Sequence, residues 1–111
     1  MCGRYTLFTP ADRLADRFGV SVPDDLGPRY NCAPGQSLPV IAGDRRDRLT
    51  GMEWGFVPGW ADDDARASIN ARGETVAEKR WFADAFETGR CLVPCDGFYE
   101  WAERDGEKRP H

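Results

Sequence analysis

Cys2 directly follows the initiator Met1, and a cysteine in that place becomes the first residue of the protein once Met1 is removed. It then carries a free α-amine two carbons from its thiol. In such a 1,2-aminothiol both nucleophiles are partly deprotonated near neutrality. The amine condenses with an aldehyde to a Schiff base, and the thiol can then close a five-membered thiazolidine ring, a stable covalent trap. A cysteine inside a chain has no α-amine and cannot do this. The plain alternative is that Cys2 is a small buried residue of a first strand.

Two further groups have types that suit this chemistry. Asn70-Ala71-Arg72-Gly73-Glu74-Thr75 stands immediately before a helical pattern, and Glu100 lies between Tyr99 and Trp101. An asparagine amide can hold a nearby amine in place, and a carboxyl group flanked by aromatics can be fitted for proton transfer. Arg72 would then face phosphate. Taken singly, Asn70 also suits a turn, Arg72 a surface position and Glu100 the solvent side of an alternating strand. Trp54, Trp60, Trp81 and Trp101 are the types that fill cores, Trp81 above all, because it sits on a helical stripe. Trp60, in the loop Pro58-Gly59-Trp60-Ala61, could instead present its face to an unstacked base, a contact contributing ~1–3 kcal/mol in single-strand binders.

Other chemistries find little support. Cys91 and Cys95 are three residues apart with Pro94 between them, Cys2 and Cys32 stand alone, and the chain has no Cys-x-x-Cys knuckle, so no metal site is expected. No Gly-rich phosphate loop and no Gly-x-Ser-x-Gly elbow is present.

The elements that must position these residues can be read in outline. Thr9 as N-cap, Pro10 at the first turn, the Leu14/Phe18 pair and Gly19 as stop predict a helix of about ten residues. Residues 21–35 are irregular. Residues 38–42 and 49–57 predict a hairpin about a polar turn at 43–47. Thr75-Val76-Ala77-Glu78 is a capping box, and Ala77, Trp81, Phe82, Ala85 and Phe86 continue at helical spacing to Gly89, which makes this the most regular helix. Strands are expected at 91–94 and 97–101. The Asp105-Gly106 turn follows, and the chain stops before a returning strand can form.

The bulk properties bound the class. With 111 residues, 41% hydrophobic and 31% charged, the chain reads as one small domain or a piece of a larger one. It has no membrane span and no signal-peptide pattern, so a cytoplasmic location with reduced cysteines is expected. Fifteen basic against nineteen acidic residues give a net charge of −4. That balance opposes general nucleic-acid affinity, so any DNA binding is local, rests on convergence among Arg4, Arg29, Arg72, Arg80 and Arg90, and weakens as salt rises.

Five motifs in order, Met1-Cys2-Gly3-Arg4-Tyr5, Tyr30-Asn31-Cys32-Ala33-Pro34-Gly35, Trp54-Gly55-Phe56-Val57-Pro58-Gly59-Trp60, Ile69-Asn70-Ala71-Arg72-Gly73-Glu74-Thr75 and Gly97-Phe98-Tyr99-Glu100-Trp101, resemble the SRAP family, the SOS-response-associated peptidase domain. The resemblance runs from residue 2 to about residue 110. It implies an α+β fold with a bifurcated, barrel-like, mainly antiparallel sheet and flanking helices, of which residues 1–111 would be about the N-terminal half of a single domain. It further implies covalent capture of abasic sites in single-stranded DNA through Cys2, with associated thiol autopeptidase activity and a possible lyase activity. By the same resemblance Asn70 would orient the Cys2 amine, Glu100 would move protons, and Arg4, Arg72 and Arg80 would hold phosphates. The family's catalytic histidine lies beyond residue 111, and His111 does not replace it, so this length of chain is expected to be impaired. No cofactor is implied. Half of such a sheet would expose unpaired edges, which favours self-association.

Two other functions fit parts of the pattern. One is a cysteine peptidase acting in trans through Cys2 with support from Glu100, although the chain offers it no histidine base. The other is a non-covalent DNA-binding module using Trp60 and the arginines.

Overall fold

The computed structural model describes residues 2–104 and 107–110, with backbone alone from 101 onward. The fold is α+β. Its elements run β1 (Tyr5–Leu7), α1 (Ala11–Phe18), β2 (Arg29–Cys32), β3 (Ser37–Ala42), β4 (Arg45–Glu53), α2 (Ala83–Thr88), β5 (Cys91–Leu92), β6 (Gly97–Phe98), β7 (Trp101–Arg104) and β8 (Glu107–Pro110). The strands form two three-stranded antiparallel sheets, β2-β1-β6 and β4-β3-β5, and the hairpin β7-β8. No closed barrel forms among the described residues.

One core serves both larger sheets. Tyr5 and Leu7 of β1, Leu14 of α1, Val20, Cys32 of β2, Leu38 and Ile41 of β3 and Leu49 of β4 pack together, with Val22, Leu26 and Trp54 against them. Leu38 at 2% exposure and Cys32 at 0% are the most enclosed. Burying apolar side chains drawn from every early element ties β1, and with it the N-terminal segment, to a rigid base.

The expected first helix forms as α1, but it begins at Ala11 with Pro10 in the N-cap place and no side-chain cap. The Pro10 carbonyl accepts from the Arg13 and Leu14 amides. Gly19, at φ +64°, ends the helix in the left-handed conformation glycine tolerates best. Thr9 is drawn elsewhere: its hydroxyl donates to the Asp96 carboxylate, which also accepts the Phe8 and Thr9 amides at 2.7 and 2.9 Å. This clamp joins the entry of α1 to the segment leading into β6.

The expected hairpin is β3–β4, with a shorter turn and an earlier second strand. Ala42 faces Arg45, and β4 ends at Glu53 rather than at residue 57. Gly43 permits this because a Cβ there would lie 2.9 Å from the Arg90 carbonyl oxygen, which accepts the Gly43 amide.

The long helix expected over 75–88 does not form as one element. Residues 73–82 make successive turns, with bonds such as Val76 N to Arg72 O and Lys79 N to Thr75 O, and regular α-helix is confined to Ala83–Thr88. Tertiary contacts explain the break. Phe82 packs on Phe56 and Trp81 meets Trp60 edge-on, so the aromatic stripe is divided between separate partners and no residue of α2 is buried. A helical turn without a buried face gains too little to propagate.

The strand expected over 97–101 is interrupted at Tyr99–Glu100, and its two parts join different sheets. The expected absence of a returning strand is also corrected, because β8 pairs with β7 from Trp101↔Pro110 to Arg104↔Glu107. Four residues beyond Asp105-Gly106 suffice for a complete short arm. The readings placed on Met1, on the Trp101 side chain, on the Asp105-Gly106 turn itself and on His111 lie outside the described residues.

Candidate active site at the N-terminal segment

Cys2 lies three residues ahead of β1 and is half-buried, not a core residue of a strand. Its thiol points to the Arg4 carbonyl at 3.5 Å. The Asn70 side-chain amide donates to the Cys2 carbonyl at 2.8 Å across a sequence separation of 68. Two of the residues singled out by type are thereby held together.

The placement of Asn70 follows from the segments around it. Phe56 and Ser68 exchange backbone bonds of 2.8 and 2.9 Å, which seats the 68–70 segment beside the exit of β4. The approach is close, since Gly55 has φ +144° and a Cβ there would come within 3.3 Å of the Ala67 Cβ. One residue before Asn70, the Ile69 carbonyl accepts the Trp54 indole N–H at 2.8 Å. The Trp54 ring in turn lies tilted against Tyr5, 5.6 Å between centroids. A closed circuit results: Cys2 leads into β1, Tyr5 of β1 packs on Trp54, Trp54 holds Ile69, and Asn70 returns to Cys2.

Glu100 enters from the other side of β1. Tyr5 faces Phe98 and Thr6 faces Gly97, and the Tyr99 amide extends this ladder by donating to the Arg4 carbonyl at 3.0 Å. The next residue is Glu100, which is half-buried in the gap between β6 and β7, not on a strand as expected. The Tyr99 hydroxyl anchors this corner by donating to the Tyr30 carbonyl at 3.2 Å.

The basic residues divide by role. Arg4 is exposed and its guanidinium turns back to the Gly3 carbonyl at 2.7 Å. Arg72 is exposed where the turns of 73–82 begin. Arg80 stacks over the Trp60 ring, 4.3 Å from its centroid. Trp60 is 48% exposed, so the aromatic surface expected for a base is present, but the guanidinium already covers one face. Trp81, expected in the core, is half-buried against Trp60 outside the main cluster. Arg29 and Arg90 do not join a phosphate group: Arg29 donates to Ser37 O and Gln36 Oε1, and Arg90 lies over Phe86.

Burial pushes the Tyr5 phenol up to about 12, with the neighbouring Cys32 thiol adding to the effect. Cys32 itself is pushed up by burial, so this thiol is an inert core group. The bonds from Thr9 and Phe8 hold the Asp96 carboxyl below the usual carboxylate range. All four cysteines are free, and the described residues contain no group of three or more His, Cys, Asp and Glu able to hold a metal.

Reading by residue type missed Trp54 and Tyr99, which appeared as core and strand aromatics. Their polar tips do the positioning, and a bond from an indole or phenol to a distant carbonyl leaves no pattern in local sequence.

These features define a small α+β fold that holds the segment bearing Cys2 against an asparagine brought in from a distant loop. The chain belongs to the SOS response associated peptidase (SRAP) family, whose sequence profile matches residues 1–111. It is 40% identical over 111 residues to the abasic site processing protein YoqW of Bacillus subtilis, covering 95% of this chain and 50% of that one. It is 34% identical to the abasic site processing protein YedK of Escherichia coli, covering 99% and 52%. A crystal structure of a protein from Bacteroides thetaiotaomicron shares the fold at a TM-score of 0.82 and 24% identity, over 98% of this chain and 52% of that one. The chain spans about half the length of the curated relatives it matches.

Proposed function

We propose that this chain processes abasic sites in DNA by covalent capture, with Cys2 as the capturing residue once Met1 has been removed. The observation that carries the reading is the 2.8 Å bond from the Asn70 amide to the Cys2 carbonyl, which fixes the residue whose nitrogen and sulfur would react. The names of its relatives as abasic site processing proteins point to the same substrate.

The ring-opened abasic sugar presents an aldehyde. The Cys2 α-amine adds to its carbonyl carbon, and the oxygen departs as water to leave a C=N bond. The thiol sulfur then adds to that carbon while its proton passes to the nitrogen, closing the thiazolidine with no net redox change. Asn70 orients Cys2 for both steps. Glu100, beside the N-terminal segment through the Tyr99–Arg4 bond, moves protons during sugar opening and ring closure. Arg4, Arg72 and Arg80 hold phosphates of a single strand. Trp60 stacks a neighbouring base on its free face or after Arg80 has swung away.

Incubating the Met1-free chain with single-stranded DNA that carries one abasic site and resolving it on a denaturing gel tests this reading. The expected result is a covalent band, absent for Cys2→Ser and for a chain extended by one uncleavable residue at its N-terminus. A band that survives the extension would point to thiol-only chemistry such as peptidase-type attack. Binding without any covalent band would favour a non-covalent module.

A further inference from the structure

We propose that Trp54 is a positioning residue of this site, acting through its indole N–H to hold Asn70 against Cys2. The inference rests on the capture reading above for its consequence in rate, but the positioning itself rests on geometry alone. Trp54 sits at the exit of β4, half-buried, with its ring against Tyr5 and its N–H on the Ile69 carbonyl at 2.8 Å. Ile69 precedes Asn70, and the planar peptide unit that bears the Ile69 carbonyl ends at the Asn70 Cα, so holding that carbonyl fixes where the Asn70 Cα sits. The Asn70 amide reaches Cys2 from that fixed point.

The ring alone could fill this space. A tryptophan serving only as filler would leave its N–H to water or to any nearby acceptor, yet this one meets the single carbonyl that borders the site residue. Its ring contact, Tyr5, lies on the strand into which the Cys2 segment leads. Trp54 is therefore fastened to both segments that carry the Asn70–Cys2 bond. The Phe56–Ser68 pair sets the distance between the two segments, and Trp54 holds the peptide plane from which Asn70 starts.

Trp54→Phe keeps an aromatic ring against Tyr5 and removes the donor. Two readouts separate positioning from general support. The first is the Asn70 side-chain amide in a nitrogen-15 spectrum of the chain. Its protons should exchange with water faster in Trp54→Phe, and an unchanged exchange rate and chemical shift would overturn the inference whether or not the protein captures DNA. The second is the rate of crosslinking to abasic single-stranded DNA. Trp54→Phe should slow it about tenfold, the upper end of what one neutral hydrogen bond contributes. In an Asn70→Ala background the same change should cost less than twofold, because a residue acting through Asn70 has nothing left to act on. Independent, multiplying losses would overturn the inference. If Trp54→Phe does not fold, the coupling is read in the opposite direction, since linkage is reciprocal. Asn70→Ala should then speed exchange of the Trp54 indole proton, and an unchanged indole signal would contradict the proposal. Wild-type chain that fails to crosslink while the Asn70 amide still responds to Trp54→Phe would sink the capture reading and leave the positioning intact.

Discussion

Asp96 shows how a single exposed side chain can matter without being part of a core or a site. Its carboxylate takes bonds from Phe8 N, Thr9 N and Thr9 Oγ1, and these hold its pKa below the usual range. A depressed carboxyl contributes stability above its unfolded value of about 3.9, and that contribution is lost as pH falls through the lower folded value. Asp96→Asn should therefore lower the urea midpoint at pH 7, and the gap to wild type should narrow as pH falls below about 4, a comparison that equilibrium unfolding across a pH series makes. Tyr5 works at the other end of the scale. Its phenol, pushed up to about 12, favours the neutral folded form, so its contribution is complete below about pH 10 and disappears as pH rises to 12. Tyr5→Phe should flatten the alkaline fall in stability over that interval, leaving the part due to Cys32, whose pKa is raised in the same direction. Cys2, Asn70 and Glu100 could be singled out from their chemistry and motifs. The family resemblance paired Asn70 with the Cys2 amine, but residue types alone could not show that the bond runs to the Cys2 carbonyl, because a contact over a separation of 68 depends on where two loops are carried.

Those loops are carried by elements whose legibility varied with how local their causes were. The α1 helix and the β3–β4 hairpin follow from short-range signals, a proline start with a glycine stop and two apolar runs about a turn. The 75–88 segment has equally strong helical spacing but becomes a run of turns and a six-residue helix, because Trp81 and Phe82 are claimed by Trp60 and Phe56. Periodicity reports which residues want burial and says nothing of how many partners share them. The close approach of residues 55–56 to 67–68 is the element-scale feature on which the site depends. Gly55→Ala would place a side chain at φ +144° and 3.3 Å from the Ala67 Cβ. It should cost about 1–3 kcal/mol of stability, measured by denaturant unfolding, and slow crosslinking more than a core truncation of equal cost elsewhere.

At the scale of the molecule, a net charge of −4 over 111 residues opposes general affinity for nucleic acid, so the proposed strand binding would be local and would weaken as salt rises. Arg72→Ala should weaken non-covalent binding to single-stranded DNA across all sequences and make the dependence of log affinity on log salt shallower by about 0.7, the share of one phosphate contact. Fluorescence anisotropy across a salt series measures both. The division of the strands into two sheets that share one core was not legible from the sequence, because β1 and β6 pair across some 90 residues. That pairing is what brings the Tyr99–Glu100 corner beside the segment bearing Cys2. The most direct test of the whole account is the intact mass of the product formed by the Met1-free chain and abasic single-stranded DNA. The account predicts one adduct equal to protein plus DNA less one water, with the modification mapped to Cys2. An unshifted protein mass, or a stable adduct formed equally well by Cys2→Ser, would contradict it.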